Sequence, residues 1–294
     1  VRVLISLVSL CLVAGVAVPA GAESPLERGR YLVEVLGACG NCHTPKGPEG
    51  SDLPGKHLAG GFRYEEPFGT WISPNITPDP ETGIGQWTDA QLIRAIREGK
   101  RPDGRTLGPP MPFALYRRLA DSDVKAMVMY LRTVTPVREA VPRSQYKIPL
   151  PDSYGPPVGA VPDPPRHEPV KYGEYLAGPV AHCMECHTPF LPEGRPDAGR
   201  LGAGGFAFRG PWGVSYAANL TPSAETGLGA WKDGEIVAAI YGARRGGGRV
   251  LPPMPTQHYA KGIAEEDLRA IIAYLRSLPP IRNKVAAPEP PNKP

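Results

Sequence analysis

Residues 39–43 read Cys39-Gly40-Asn41-Cys42-His43, and residues 183–187 read Cys183-Met184-Glu185-Cys186-His187. C-x-x-C-H is the pattern of a covalent haem site. Two thiols one helical turn apart can each add to a vinyl group of one porphyrin, and the adjacent imidazole reaches its iron. A structural zinc site would need two cysteine pairs close together or a histidine pair at short spacing, and a thioredoxin-like dithiol would follow a strand in a βαβ context. Neither pattern surrounds these motifs. Two covalently attached c-type haems are expected, one on Cys39, Cys42 and His43 and one on Cys183, Cys186 and His187.

Outward from the motifs, the chain is one module written twice. The offset of 144 residues between Cys39 and Cys183 also links Asn75 with Asn219, Trp87 with Trp231, and Tyr130-Leu131-Arg132 with Tyr274-Leu275-Arg276. An offset kept over such a distance marks a duplication, so both halves should share one fold. In the first half, Ser24-Pro25-x-Glu27 reads as a capping box opening a helix towards Cys39. Thr88 with Gln91 opens a second helix that Gly99 stops, and a third starts near Ser122. The second half repeats these near residues 172–177, 234–241 and 265–276. Strand signals are scarce, so the expected class is mainly α, with two tandem cytochrome c-like haem domains related by internal duplication.

Each iron needs a second axial ligand. Met111 and Met254 lie in the same Pro-Pro-Met-Pro setting, displaced by 143 residues. A thioether is a soft ligand that favours ferrous iron, and flanking prolines stiffen its loop. The other methionines serve as controls: Met127 and Met129 fall in a helix, and Met184 lies between two cysteines. His57, His167, His182 and His258 have no repeated counterpart and read as surface or core residues; His258 follows Met254 closely, but Leu115 stands at its place in the first half. Trp87 and Trp231, with Arg105 and Arg249, either serve haem propionates or pack and solvate, and Asn75 and Asn219 join them as possible haem surroundings.

The N-terminus has Arg2, an apolar run from Val3 to Val18, and Ala20-Gly21-Ala22. This reads as a secretory signal peptide over residues 1–22 rather than a membrane span. Of five cysteines, Cys11 leaves with that segment, and the remaining four all belong to the haem motifs. Covalent haem attachment takes place outside the bacterial inner membrane, so the periplasm is the expected compartment. Residues 136–169 hold ten prolines and read as a stiff linker lying along the domains. The expected division is domain 1 at 23–135, domain 2 at 170–282 and a disordered tail at 283–294. With 38 Pro and 35 Gly among 294 residues, the domains are small ones whose cores a bulky cofactor would complete. The net charge of +4 comes with no basic run or aromatic platform, which argues against a nucleic-acid partner. Beyond the leader no further segment has the length of a membrane span, so membrane association is expected to be at most peripheral.

The run SPNITPDPETGIGQWTDAQLIRAIREGKRPDGR, preceded by GACGNCHTP and followed by PPMPFALY, resembles the cytochrome c subunits of bacterial membrane-bound alcohol and aldehyde dehydrogenases. The second copy, ANLTPSAETGLGAWKDGEIVAAIYGARRGGGR with HCMECHTP and PPMPTQHY, follows the same pattern. The resemblance implies small helical domains with covalent haem and His/Met iron, His43 with Met111 and His187 with Met254. It further implies electrons relayed from a periplasmic or membrane-bound dehydrogenase to another cytochrome or a terminal oxidase. With both irons six-coordinate, the chain is expected to be an electron carrier rather than an enzyme. The alternative is a dihaem redox enzyme such as a peroxidase or a thiosulfate-oxidising cytochrome, in which one iron opens.

Overall fold

The computed structural model describes residues 23–291 apart from 48–49, 67–68, 193 and 245–246. The leader expected at 1–22 and the last three residues of the tail lie outside the described residues. Helix α1 (Pro25–Tyr31) starts at Ser24, whose hydroxyl accepts from the Glu27 amide while the Glu27 carboxylate accepts from the Ser24 amide. Two otherwise orphaned N–H groups are satisfied reciprocally. The helix widens into a π-helical turn, Leu32–Leu36, which buries Leu32, Val33, Val35 and Leu36. Ala38 then takes the left-handed conformation (φ 46°) and turns the chain into α2 (Cys39–His43). Such a conformation costs a non-glycine residue about 1 kcal/mol or more, which the surrounding packing must hold.

A hairpin follows, β1 (Arg63–Glu66) antiparallel to β2 (Gly69–Ile72) with Arg63 opposite Ile72. Helix α3 (Asp89–Glu98) is capped by Thr88 and Gln91 and ends at Gly99 (φ 64°). The short α4 (Phe113–Tyr116) leaves the Met111 loop, and α5 (Asp121–Leu131) closes the module. α5 crosses α1 at Gly29, where a Cβ would stand 1.9 Å from the Ala126 carbonyl oxygen. Only glycine permits so close an approach.

The second module repeats the path. The linker first supplies β3 (Gln145–Tyr146), and then come α6 (Pro169–Tyr175) with its π-helical turn Leu176–Val180, left-handed His182 (φ 41°) and α7 (Cys183–Cys186). The hairpin β4 (Ala207–Gly210) and β5 (Gly213–Tyr216), α8 (Asp233–Ile240), α9 (Thr256–Tyr259) and α10 (Glu265–Ser277) complete it. At α8 only one arm of the capping box forms, Glu235 accepting from the Lys232 amide at 2.8 Å, because an ammonium cannot accept. α6 crosses α10 at Gly173, again with 1.9 Å to a carbonyl oxygen, that of Ala270.

The small sheets are what the sequence did not announce: β1 reads Arg-Tyr-Glu-Glu, with no apolar alternation. The segment after each closing helix is fastened to its own module. In module 1 the carbonyl of Val137 accepts from Asn75 at 2.7 Å, and β3 pairs with β2. In module 2 the carbonyl of Ile281 accepts from Asn219 at 2.8 Å, Asn283 donates to the Ala203 carbonyl at 2.8 Å, and Glu289 pairs with Val214. These contacts fasten residues 281–289 along the second module as a strap. They satisfy a hairpin edge that would otherwise be open.

The modules meet through mirrored contacts, and their apolar residues form one buried core. Tyr31 of α1 donates to Asp267 of α10 at 2.8 Å, and Tyr175 of α6 donates to Asp123 of α5 at 2.7 Å. Among the described residues no helix is long and apolar enough to cross a membrane.

Candidate functional site

In α2 and α7 the first and second cysteines lie three positions apart on one helical turn, so both thiols project from the same face. None of Cys39, Cys42, Cys183 and Cys186 is in a disulfide. Burial pushes the thiol of Cys39 up to about 12 and those of Cys42 and Cys183 to about 11, and raises Cys186 as well. A redox dithiol needs the opposite shift.

The two histidines are fixed in the same way. His43 Nδ1 lies 2.8 Å from the Pro74 carbonyl oxygen, and His187 Nδ1 lies 2.8 Å from that of Ala218. A carbonyl can only accept, so Nδ1 carries the proton and Nε2 keeps its lone pair. Nε2 has no hydrogen-bond partner among the described residues. Burial lowers both imidazoles below the ordinary 6.5 and keeps them neutral, as a ligand must be. The donor set therefore fits an iron porphyrin: paired thiols for its vinyl groups, and an oriented neutral imidazole for its metal.

Met111 and Met254 are half-buried against the core, each in a loop between the α3- or α8-side turn and a short helix. Met127 and Met184 are buried core residues, and Met129 is exposed on α5. Asn75 donates to Thr82 and Val137 and accepts from Thr77, and Asn219 makes the same bonds to Thr226, Ile281 and Thr221. Their amide hydrogens are committed to holding the strap.

Arg105 is exposed and paired with Asp103, and the structure separates it from its presumed counterpart. Lys100 bridges Thr106 where Ala243 bridges Arg249, so Arg249 occupies the place of Thr106 and not of Arg105. One residue is missing between α8 and this turn, which shifts the offset to 143 before the methionine loop is reached. The residue beside Trp87 is Arg101, whose guanidinium lies 4.9 Å over the indole and whose Nε pairs with the Asp103 carboxylate at 3.6 Å. Trp87 and Trp231 both pack against the shared buried core.

Two residues that sequence reasoning passed over are Tyr116 and Tyr259. Both phenols are buried, Tyr116 beside Cys39, Glu185 and Cys42 and Tyr259 beside Cys183 and Cys186, and burial with these neighbours raises both well above 10. Each stands five residues after its loop methionine, a spacing that could have revealed them.

Residues 26–135 and 171–279 match the cytochrome c family model, one match per module. The chain belongs to the cytochrome c family. It is a tandem pair of cytochrome c domains that carry two covalently bound c-type haems, a cofactor that supplies one-electron chemistry at its iron. The cytochrome c chain is 35% identical over 279 residues to the fructose dehydrogenase cytochrome subunit of Gluconobacter japonicus, covering 89% of itself and 54% of that protein. It is also 35% identical to the cytochrome c subunit of alcohol dehydrogenase (quinone) from Gluconobacter oxydans, over 88% of itself and 56% of that protein. The chain thus spans about half the length of these relatives. A diheme cytochrome c-type protein of Cereibacter sphaeroides is 30% identical and is matched over 88% of its length, against 89% of this chain.

Proposed function

We propose that this dihaem cytochrome c is an exported electron carrier that takes electrons from a dehydrogenase and passes them to another cytochrome or a terminal oxidase. Cys39, Cys42, Cys183 and Cys186 hold the haems. His43 and Met111 ligate one iron and His187 and Met254 the other. The observation that carries this reading is the mirrored pair of histidines, each locked by a carbonyl at Nδ1 and each matched by a proline-flanked methionine. Held by a histidine and a methionine, each iron would keep no position for substrate, and the thioether would raise its potential into a range suited to relay. A dehydrogenase donor is supported by relatives named as cytochrome subunits of fructose and alcohol dehydrogenases. The periplasm is supported by the leader-like start and by the commitment of every remaining cysteine to haem.

The test is anaerobic mixing of the fully reduced protein with a ferric single-haem cytochrome c, followed by addition of hydrogen peroxide to a second reduced sample. Delivery of two electrons per chain without peroxide turnover is expected of a carrier. Catalytic consumption of peroxide would instead show that one iron opens.

A further inference from the structure

The two methionine loops are held by different parts of the molecule. The Met111 loop is fastened by the linker that follows its own module: Tyr146 donates to the Pro109 carbonyl at 3.1 Å, Tyr154 donates to the Leu107 carbonyl at 2.9 Å, and the Tyr154 ring stacks on Phe113 at 4.8 Å. The Met254 loop receives a bond from Ser215 to the Pro252 carbonyl at 2.6 Å, but its next carbonyl, that of Pro253, is reached from the other module. Asn41, between the two attachment cysteines of module 1, donates its side-chain amide to Pro253 at 3.1 Å. Pro253 is bonded directly to Met254.

Two further contacts secure the same junction. His258 on α9 is 2% exposed, its Nδ1 lies 3.1 Å from the Glu34 carbonyl oxygen, and its ring packs on Gly40. Lys261 pairs with the Glu34 carboxylate at 2.8 Å. The reverse junction lacks the amide bridge. Glu185 stands where Asn41 stands, and it pairs with His182 at 3.3 Å instead of reaching Pro110. A carboxylate facing a carbonyl has nothing to donate.

We infer that Asn41 is a positioning residue for the second haem site: its amide holds the Met254 loop, so methionine ligation in module 2 depends on the seating of the attachment loop in module 1. The inference rests on the His/Met ligation proposed above. With a haem bound through Cys39 and Cys42 the Cys39–His43 turn would be stiffened, and the Asn41 bond would carry that order to the neighbouring loop. Among the described residues the Met111 loop receives no such amide from module 2, which meets the following segment through the Tyr116 ring against His182 and the Arg118–Glu174 pair.

The experiment titrates the oxidised holoprotein with imidazole and follows the near-infrared thioether-to-iron band of each haem. Absence of one band in Met254→His assigns the signals. In Asn41→Ala, the Met254 band should be displaced at about tenfold lower imidazole, the worth of one hydrogen bond to a loop, while the Met111 band is unchanged. Asn41→Gln keeps an amide donor and should recover part of the loss. Glu185→Ala should move neither band. An Asn41→Ala protein with both bands unmoved, or both weakened alike, would overturn the inference. Fewer than two bands in the unmodified protein would instead remove the ligation reading on which it rests.

Discussion

The hydroxyl of Tyr175 donates to the carboxylate of Asp123 at 2.7 Å, across the boundary between the two modules. Its mirror is the bond from Tyr31 to Asp267, and in each case the same hydroxyl accepts a backbone amide, that of Ala120 or Ala264, at 3.1 Å. The duplicated chain thus builds the self-complementary contact of a symmetric dimer inside one polypeptide. Arg28 breaks the symmetry of this contact. Arg28 forms a two-pronged pair with Asp123 (2.9 and 3.0 Å) and approaches Asp267 only to 4.0 Å, and its place in module 2 is taken by Tyr172. Replacing Tyr31 by Phe should cost about 1–3 kcal/mol, because it deprives the buried, less well paired Asp267 of its donor. Replacing Tyr175 by Phe should cost less, since Asp123 keeps Arg28. Denaturant midpoints of the two variants order these effects.

The helix crossings make a sharper demand. Ala at position 29 or 173 places a methyl 1.9 Å from a carbonyl oxygen, so α1 must move off α5, or α6 off α10. Each substitution should lower stability by about 1–3 kcal/mol or more, and the double variant should fail to hold its haems. Thermal unfolding followed at the haem absorption checks both.

Acid should weaken the junction at Glu34. Burial alone would raise its carboxyl, but hydrogen bonds and charge from His57 and Lys261 outweigh it and hold the group down to about 2, below the ordinary 4.5. A depressed carboxyl contributes stability above its unfolded value and loses it as pH falls towards its folded value. Stability should therefore decline between about pH 4.5 and about pH 2 more steeply than in Glu34→Gln. Denaturant midpoints across that window measure the difference. Equal slopes would mean that the Lys261 bridge contributes nothing to acid stability.

The linker is expected to act as part of the first site. Tyr154→Ala removes the stack on Phe113 and the bond to Leu107, so the Met111 loop should loosen and residues 147–160 should become open to protease. Limited proteolysis with mass spectrometry locates the cut. Protection equal to that of the unmodified protein would show that the remaining contacts suffice.

Much of this architecture was legible because it depends on local chemistry. The capping boxes at Ser24 and Thr88, the paired C-x-x-C-H motifs and the repeated Pro-Pro-Met-Pro each carry their meaning within a few residues. What stayed hidden depends on distant partners. Nothing near Asp123 announces Tyr175, and nothing in Arg-Tyr-Glu-Glu announces a strand until Gly69–Ile72 pairs with it. Arg105 and Arg249 share the 144-residue offset, yet a single missing residue after α8 sets them at different points of the turn. Nothing in the polar composition of residues 283–291 announces that Glu289 pairs with Val214 of β5 or that the Asn219 amide reaches the Asn283 carbonyl.

The near-infrared magnetic circular dichroism of the fully oxidised protein tests the two-carrier reading most directly, because it counts methionine-ligated low-spin haems. Two such haems per chain, one lost in Met111→His and the other in Met254→His, are expected. A high-spin or bis-histidine haem in the unmodified protein would contradict it.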